Sequence, residues 1–304
     1  MVVKYGMEKG LKIIADAGFD GVDYGFDILL SAKMVKDNDR SSILYDEQKS
    51  IEYAKELKKV LDKLGLEACQ THAPFPTRRR DITEEQNELL LTAIKNCFKI
   101  SQIIGAKKMV VHPYFWGNIR SHFPEEETHE GNMKLYVPLI DTIRETGVIC
   151  CLENMWTGDP NSKKIYSAIC SDPNEANAMI DELNEIAGEE LFGFCLDIGH
   201  LLIIGSDPYW VIPKLGKRIK CFHVHDNDGA DDLHVCPYFG IYHWDKFAEA
   251  VRKLGYTDPL DFETGGTFDH YFKDDRTIVA AHEMLHAAGR HIIKMIEEPE
   301  DDEN

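Results

Sequence analysis

The sequence has no Cys-x-x-Cys pair and no even ladder of cysteine spacings. Its eight cysteines therefore read as buried thiols of a reducing compartment and not as a disulfide framework. No uninterrupted apolar run approaches the roughly 20 residues of a membrane helix, and the opening "MVVKYGMEKG" lacks a basic-then-apolar leader pattern. A cytoplasmic protein without a membrane partner is the expectation. Basic residues are scarce: 34 Lys and Arg stand against 53 Asp and Glu, a net charge of -19. Such a surface repels phosphate backbones, which disfavours nucleic acid as a partner. No linker, low-complexity segment or composition break divides the chain. This predicts one domain over residues 1–296 and a short acidic, disordered tail, "EEPEDDEN" (297–304), in which nothing can be buried. The first strand-like runs also carry no G-x-G-x-x-G turn ("GFDGVD" supplies none), which argues against an open doubly wound dinucleotide sheet.

What is present is alternation. With 304 residues and 43% of them hydrophobic, the chain can bury a large core. Short β-branched or apolar runs alternate with helical patterns: "VVKY" as a clipped first strand, then "GVDYGF", "LEACQTH", "KKMVVH", "VICCLEN", "LFGFCLDIGH", "RIKCFHVH" and "PLDFET". Between them lie amphipathic stretches such as "DEQKSIEYAKELKKVLDKLG", with Ile51, Leu57, Val60 and Leu64 on one face. "ITEEQ" offers Thr83 and Gln86 as a capping box. Helices are also expected near 131–146, 173–187, 207–216 and 244–255, with a last long one ending near residue 293. Strict βα alternation implies parallel strands. Eight pairs in about this length imply a closed (β/α)8 TIM barrel.

In such a barrel the chemistry sits where strands end. Six consecutive strands end in a residue able to bind a metal: His72, His112, Glu153, Asp197, His225 and Glu263, separated by 40, 41, 44, 28 and 38 residues. One strand-end histidine would be an ordinary hydrogen-bonded side chain. Six in register point to a shared cation, because burying several carboxylates together without a counter-charge is prohibitive.

The stretches "QTHAPF", "VVHPYF", "CLENMW", "CLDIGHLLIIGSDP", "HVHDNDGADDLH" and "DFETGG" resemble motifs of the xylose-isomerase-like barrel superfamily, from about residue 10 to 290. That superfamily holds sugar isomerases and epimerases, inosose dehydratases and endonuclease IV. Its epimerases imply one Mn²⁺, Mg²⁺ or Co²⁺ on Glu153, Asp197, His225 and Glu263, and hard oxygen donors with one imidazole suit Mn²⁺ or Mg²⁺. Similarity to endonuclease IV implies up to three zinc ions on nine residues: His72, His112, Glu153, Asp197, His200, His225, Asp232, His234 and Glu263. The resemblance makes Glu153 and Glu263 the catalytic acid–base pair for isomerising a sugar, sugar phosphate or cyclic polyol through a metal-stabilised enediolate. It makes His200 a donor to a substrate hydroxyl. Two alternatives accompany this reading: an endonuclease IV-like zinc phosphodiesterase, and a metal-binding subunit of a lyase that cleaves carbon-linked glycosides. The partner expected is a small sugar-like molecule, and homo-oligomerisation is compatible with the sequence.

Arg78, Arg79 and Arg80 form the one basic cluster, either a solvated turn or, through Arg78, a phosphate clamp for substrate. Tyr114, Phe115, Trp116 and Trp156 suit the covering of a sugar ring, or packing on the rim. "HEMLH" (282–286) matches the H-E-x-x-H zinc motif. It lies in the last helix, away from the strand ends, and is read as a chance match. His223 shares a face with His225 and is read as a supporting or core histidine. Cys150 and Cys151 point to opposite faces of one strand as packing residues, and Asn154 either orients the site or forms a turn.

Overall fold

The structure, a computed structural model, describes residues 1–115, 125–272, 274 and 276–298. Its elements run α1 (Val2–Tyr5), α2 (Met7–Asp16), β1 (Gly21–Gly25), α3 (Ala32–Lys36), α4 (Glu47–Leu64), β2 (Glu67–His72), α5 (Glu84–Ile104) and β3 (Lys108–Val110). They continue α6 (Glu125–Tyr136), α7 (Ile140–Thr146), β4 (Ile149–Glu153), β5 (Trp156–Gly158), β6 (Ile165–Ser167), α8 (Pro173–Ala187), β7 (Phe192–Asp197) and α9 (Ile198–Ile203). The chain closes with α10 (Pro208–Leu215), β8 (Ile219–His223), α11 (Trp244–Leu254), α12 (Gly265–His270) and α13 (Ile278–Glu297).

Helices form where spacing and caps place them. Asp46 caps α4 by accepting from Lys49 N–H, and Gly65 ends it in the left-handed conformation that a side chain resists. Thr83 and Gln86 form the reciprocal capping box of α5. Glu297 belongs to α13, so the expected tail begins inside a helix; residues 299–304 lie outside those described.

Six strands make one parallel sheet in the order β1-β2-β3-β4-β7-β8. The "PLDFET" run adds a single parallel bridge, His223 to Asp261. β5 and β6 pair apart from it as an antiparallel hairpin that the alternation gave no sign of. One strand expected from sequence is a helix instead: "VVKY" is α1. There the Met1 carbonyl accepts from Lys4 and Tyr5 N–H and the Val2 carbonyl from Gly6 N–H, while Met1 packs against the bare backbone of Gly10. Local bonds and that contact outweigh the strand preference of two valines. The eight expected strand–helix pairs therefore reduce, among the described residues, to six strands and one bridge.

The sheet is curled. β1 and β8 stand at opposite ends of the strand order, yet His223 Nε2 lies 3.3 Å from Asp23 Oδ2, so the two ends face each other across an interior. Alternation then sorts side chains. Val22, Tyr24, Leu152, Phe194, Leu196 and Phe222 join the large core under the helices. Val110, Cys151, Cys195 and Cys221 form a separate inner cluster of small residues filling the axis. Cys150 and Cys151 divide between the two cores, as adjacent strand residues must. Two positions beyond each inner small residue, the same face carries His112, Glu153, Asp197 and His223. Buried Asn132 fastens α6 to the loop after β3: its Oδ1 accepts from Tyr114 N–H at 2.8 Å, and its Nδ2 donates to the Tyr114 and Thr128 carbonyls, 2.8 Å each. Asn132→Ala leaves those backbone groups buried and unpaired. A loss of about 3 kcal/mol is expected in urea unfolding, and an unchanged midpoint would refute this role.

Candidate metal centre

At the carboxyl end of the sheet, β2 ends in His72, β4 in Glu153 and β7 in Asp197. His112, His225 and Glu263 follow β3, β8 and the Asp261 bridge by two residues each. Glu153 is 1% exposed, and Asp197 and His225 are fully buried. Their atoms interlock in groups close enough to share an ion: His72 with His112 and Glu153; Glu153 with Asp197 and His200; His200 with Asp232 and His234; His225 with His234 and Glu263; Asp197 with His223 and Glu263. All nine residues expected as ligands fall within these groups.

The local contacts fit a cation. His72, His200 and His234 each donate Nδ1–H to a backbone carbonyl, of Ala73 (2.7 Å), Asn154 (2.8 Å) and Glu263 (3.0 Å). That choice of tautomer turns the Nε2 lone pair inward, as ligation requires. His72 Nε2 and His112 Nε2 lie 2.9 Å apart, and Glu153 Oε2 is 2.9 Å from the latter without hydrogen-bonding geometry. His225 Nε2 is equidistant from the two Asp197 oxygens at 3.0 Å, and Asp232 Oδ1 is buried without a partner. Orphaned buried donors and acceptors gathered at one spot are costly unless a shared ion satisfies them.

The support around the ligands is equally local. Asp197 caps α9, its Oδ1 accepting from His200 N–H at 2.6 Å, so the turn "DIGH" aims both side chains at one point. Asn154 bonds the Asp197 backbone in both directions, at 2.9 Å each, so it holds the site and does not merely turn the chain. Gly199 leaves room for an imidazole: a Cβ there would stand 1.9 Å from His225 Cε1. Asp226, which the motif reading passed over, anchors the long loop after β8. Its carboxylate accepts from the N–H groups of Asn227, Tyr238, Ile241 and Tyr242 and from Trp244 Nε1.

The family model described as "Xylose isomerase-like TIM barrel" matches residues 11–287. The chain belongs to this family. A curated relative, the uncharacterized protein y4fM of Sinorhizobium fredii, is 22% identical over 279 residues, 85% of this chain and 81% of that one. The fold is shared with the 3-keto-D-glucoside 4-epimerase YcjR of E. coli, at TM-score 0.67, 15% identity and coverage of 94% of both chains. It is shared also with the IolI protein bearing a zinc atom, at TM-score 0.64 and 17% identity over 95% of this chain and 92% of that one.

Other residues singled out from sequence divide. Arg78 bonds Glu84, Arg79 bonds Asp81, and Arg80 lies 3.2 Å from Glu127. Trp116 lies outside the described residues. Trp156 donates its indole N–H to Asp232 Oδ2 at 3.1 Å, so it touches a candidate ligand and not only the rim. "HEMLH" stays apart: His282 is buried against Phe268 and bonds the Ile278 carbonyl, while His286 packs on Phe19. His223 is the residue most understated by sequence. Its Nδ1 lies 3.3 Å from both Glu153 and Glu263, and its Nε2 meets Asp23, itself held by Gln70 at 2.8 Å. The two-residue spacing to His225 was the available signal.

Burial penalises these charges, yet each is set by its partners. His112 and His223 hold the Glu153 carboxyl well below the usual carboxylate range, and His200 and His225 lower Asp197. Burial opposes but Glu153 outweighs it at His72, pushed up to about 9; Asp197 and Asp232 push His200 up to about 10, and Asp232 with Glu263 push His234 to about 9. A histidine pKa raised on folding contributes stability that is complete below its unfolded value, near 6.5, and is lost as pH rises through the folded value. The chelator-treated protein is therefore expected to lose thermal stability between pH 6.5 and about 10, and added divalent ion, which replaces those protons, should flatten the decline. A Tm flat over that range without ion would contradict the assignment. Gly199→Ala should weaken Mn²⁺ or Zn²⁺ binding by about tenfold or more in calorimetry while the circular dichroism is retained.

Proposed function

We propose that the protein is a divalent-metal-dependent isomerase or epimerase of a sugar or related polyol, with Glu153 and Glu263 as its acid–base pair. One observation carries this reading: two carboxylates remote in sequence, one ending β4 and one two residues past the Asp261 bridge, reach the same imidazole nitrogen, His223 Nδ1, at 3.3 Å each. Their surroundings differ, since Glu153 is 1% exposed and the Glu263 side chain 44%. Like groups held in unlike environments divide acid and base duty. The epimerase and zinc-bearing neighbours support the same chemistry.

Glu153, Asp197, His225 and Glu263 would hold one ion; His72 and His112 with Glu153, and His200 with Asp232 and His234, could take one more each. A bound Mn²⁺, Mg²⁺ or Zn²⁺ polarises a substrate carbonyl and stabilises negative charge on its oxygen. Glu263, facing the open cavity with His72 and His112, takes a proton from the carbon beside that carbonyl. Glu153 serves the opposite face, and His223, 3.3 Å from each, holds both carboxylates in place. His200, its Nδ1–H committed to Asn154, has Nε2 left for a substrate hydroxyl or an ion.

The three ligand groups also favour a second reading, a phosphodiesterase like endonuclease IV. Against it, each arginine of the 78–80 cluster already meets a carboxylate, which leaves little positive charge there for a DNA backbone or a phosphate clamp. The test is solvent exchange. In D2O with Mn²⁺, ketohexoses and cyclic keto-polyols are offered, and deuterium is expected at the carbon next to the carbonyl. Glu153→Gln and Glu263→Gln should each slow it roughly 10²- to 10⁴-fold. Cleavage of abasic-site DNA without exchange would favour the nuclease. Metal binding with no turnover on any free sugar would favour a lyase subunit.

A further inference from the structure

The chain does not run straight from β4 to α8. It first turns back on itself as the β5–β6 hairpin, whose first residue is Trp156. The backbone there is fixed: Trp156 pairs with Ser167, and just before it Met155 N–H donates to the Ile169 carbonyl at 3.0 Å while the Met155 carbonyl accepts from Ala168 N–H at 2.9 Å. Glu153, Asn154 and Trp156 thus leave one short, held stretch as candidate ligand, backbone lock and indole. From this stretch the indole reaches past the end of β7, which lies between β4 and β8 in the sheet, to Asp232 in the loop after β8.

In that loop three nitrogens surround one oxygen. Asp232 Oδ2 accepts the Trp156 indole N–H at 3.1 Å and lies 3.1 Å from His234 Nε2 and 3.5 Å from His200 Nε2. The three nitrogens are not equivalent. An imidazole that ligates an ion through Nε2 no longer donates from it, whereas an indole N–H is a donor only and ligates nothing. Among the described residues, Trp156 is therefore the one donor to the Asp232 carboxylate that an ion would leave in place. The turn that carries Asp232 needs such a tether: His234 has φ 46°, in the left-handed region that a side chain resists, so local preference does not hold it. We infer that Trp156 is a positioning residue of the metal centre, whose N–H fixes the rotation of the Asp232 carboxylate so that Oδ2 stays beside both imidazole nitrogens with an ion bound. The indole also stands edge-on to His200, ring centres 6.5 Å apart, and so walls the same group. This inference rests on the metal-centre reading and not on the sugar chemistry proposed above.

The test is ion binding by the full chain without substrate. Chelator-treated protein is titrated with Zn²⁺ in a calorimeter, and His234→Ala identifies the binding event that belongs to His200, Asp232 and His234. Trp156→Phe keeps an aromatic ring and removes the N–H. It should weaken that event by about tenfold or more and leave the others unchanged. Asp232→Asn should weaken the same event, and adding Trp156→Phe to it should cost nothing further, because the indole acts through that carboxylate. A second measurement uses the unaltered protein: solvent exchange of the Trp156 indole N–H, read by NMR, should stay as slow or become slower with Zn²⁺, while that of Trp244, whose indole N–H is held by Asp226, does not change. The inference is overturned if Trp156→Phe leaves every binding event as tight as before, weakens all of them alike, or costs as much in the Asp232→Asn background. It is overturned as well if Zn²⁺ frees the Trp156 N–H to exchange faster, or if ions bind elsewhere in the centre and none at His200, Asp232 and His234. Protein that binds no ion at all overturns the metal-centre reading itself, and bound ions without turnover on sugars count against the isomerase while leaving the role of Trp156 standing.

Discussion

Fully buried carboxylates cannot stay charged without close positive partners, and this governs the whole carboxyl end of the sheet. Glu153 and Asp197 are buried as deeply as the phenylalanines beside them. They remain ionised because four imidazoles, His112, His200, His223 and His225, converge on them. Burial opposes, but the carboxylates hold His72, His200 and His223 above the ordinary histidine range, and a bound divalent ion would replace those protons. Proton and metal would compete for one set of atoms, and backbone carbonyls fix the tautomers of His72, His200 and His234 with Nε2 turned inward.

That arrangement demands precision from its frame. Carbonyls of Ala73, Asn154 and Glu263 fix three rings, Asn154 locks the backbone of Asp197, and a bare Gly199 leaves room for the ring of His225. None of these supports is a ligand, and each acts through hydrogen bonds or the lack of a side chain. The long loop after β8 follows the same logic, wound around the single buried carboxylate of Asp226.

Reading the sequence recovered much of this because the signals are periodic. The helices of the 47–64, 84–104 and 173–187 stretches end where caps and glycines say they should. The two-residue strand period places the strand-end ligands on the same face as the small inner residues. Reading failed where contacts are long-range or locally degenerate. "VVKY" has strand propensity, but its four residues satisfy themselves locally as a turn of helix packed on Gly10. His223 looked like a supporting residue because nothing near it in sequence reveals that Asp23, some 200 positions earlier, lies on its other side.

The sequence alone determined the βα alternation, the parallel sheet and six strand-end candidate ligands, since these follow from side-chain type, period and spacing; His200, Asp232 and His234 were added by the family resemblance. Only the tertiary structure decided which nitrogens face inward, that His223 joins the two glutamates, that the three arginines are matched by carboxylates, and that the sheet of the described residues curls until Asp23 of β1 meets His223 of β8. Those facts depend on distances between residues remote in the chain, which no local pattern encodes.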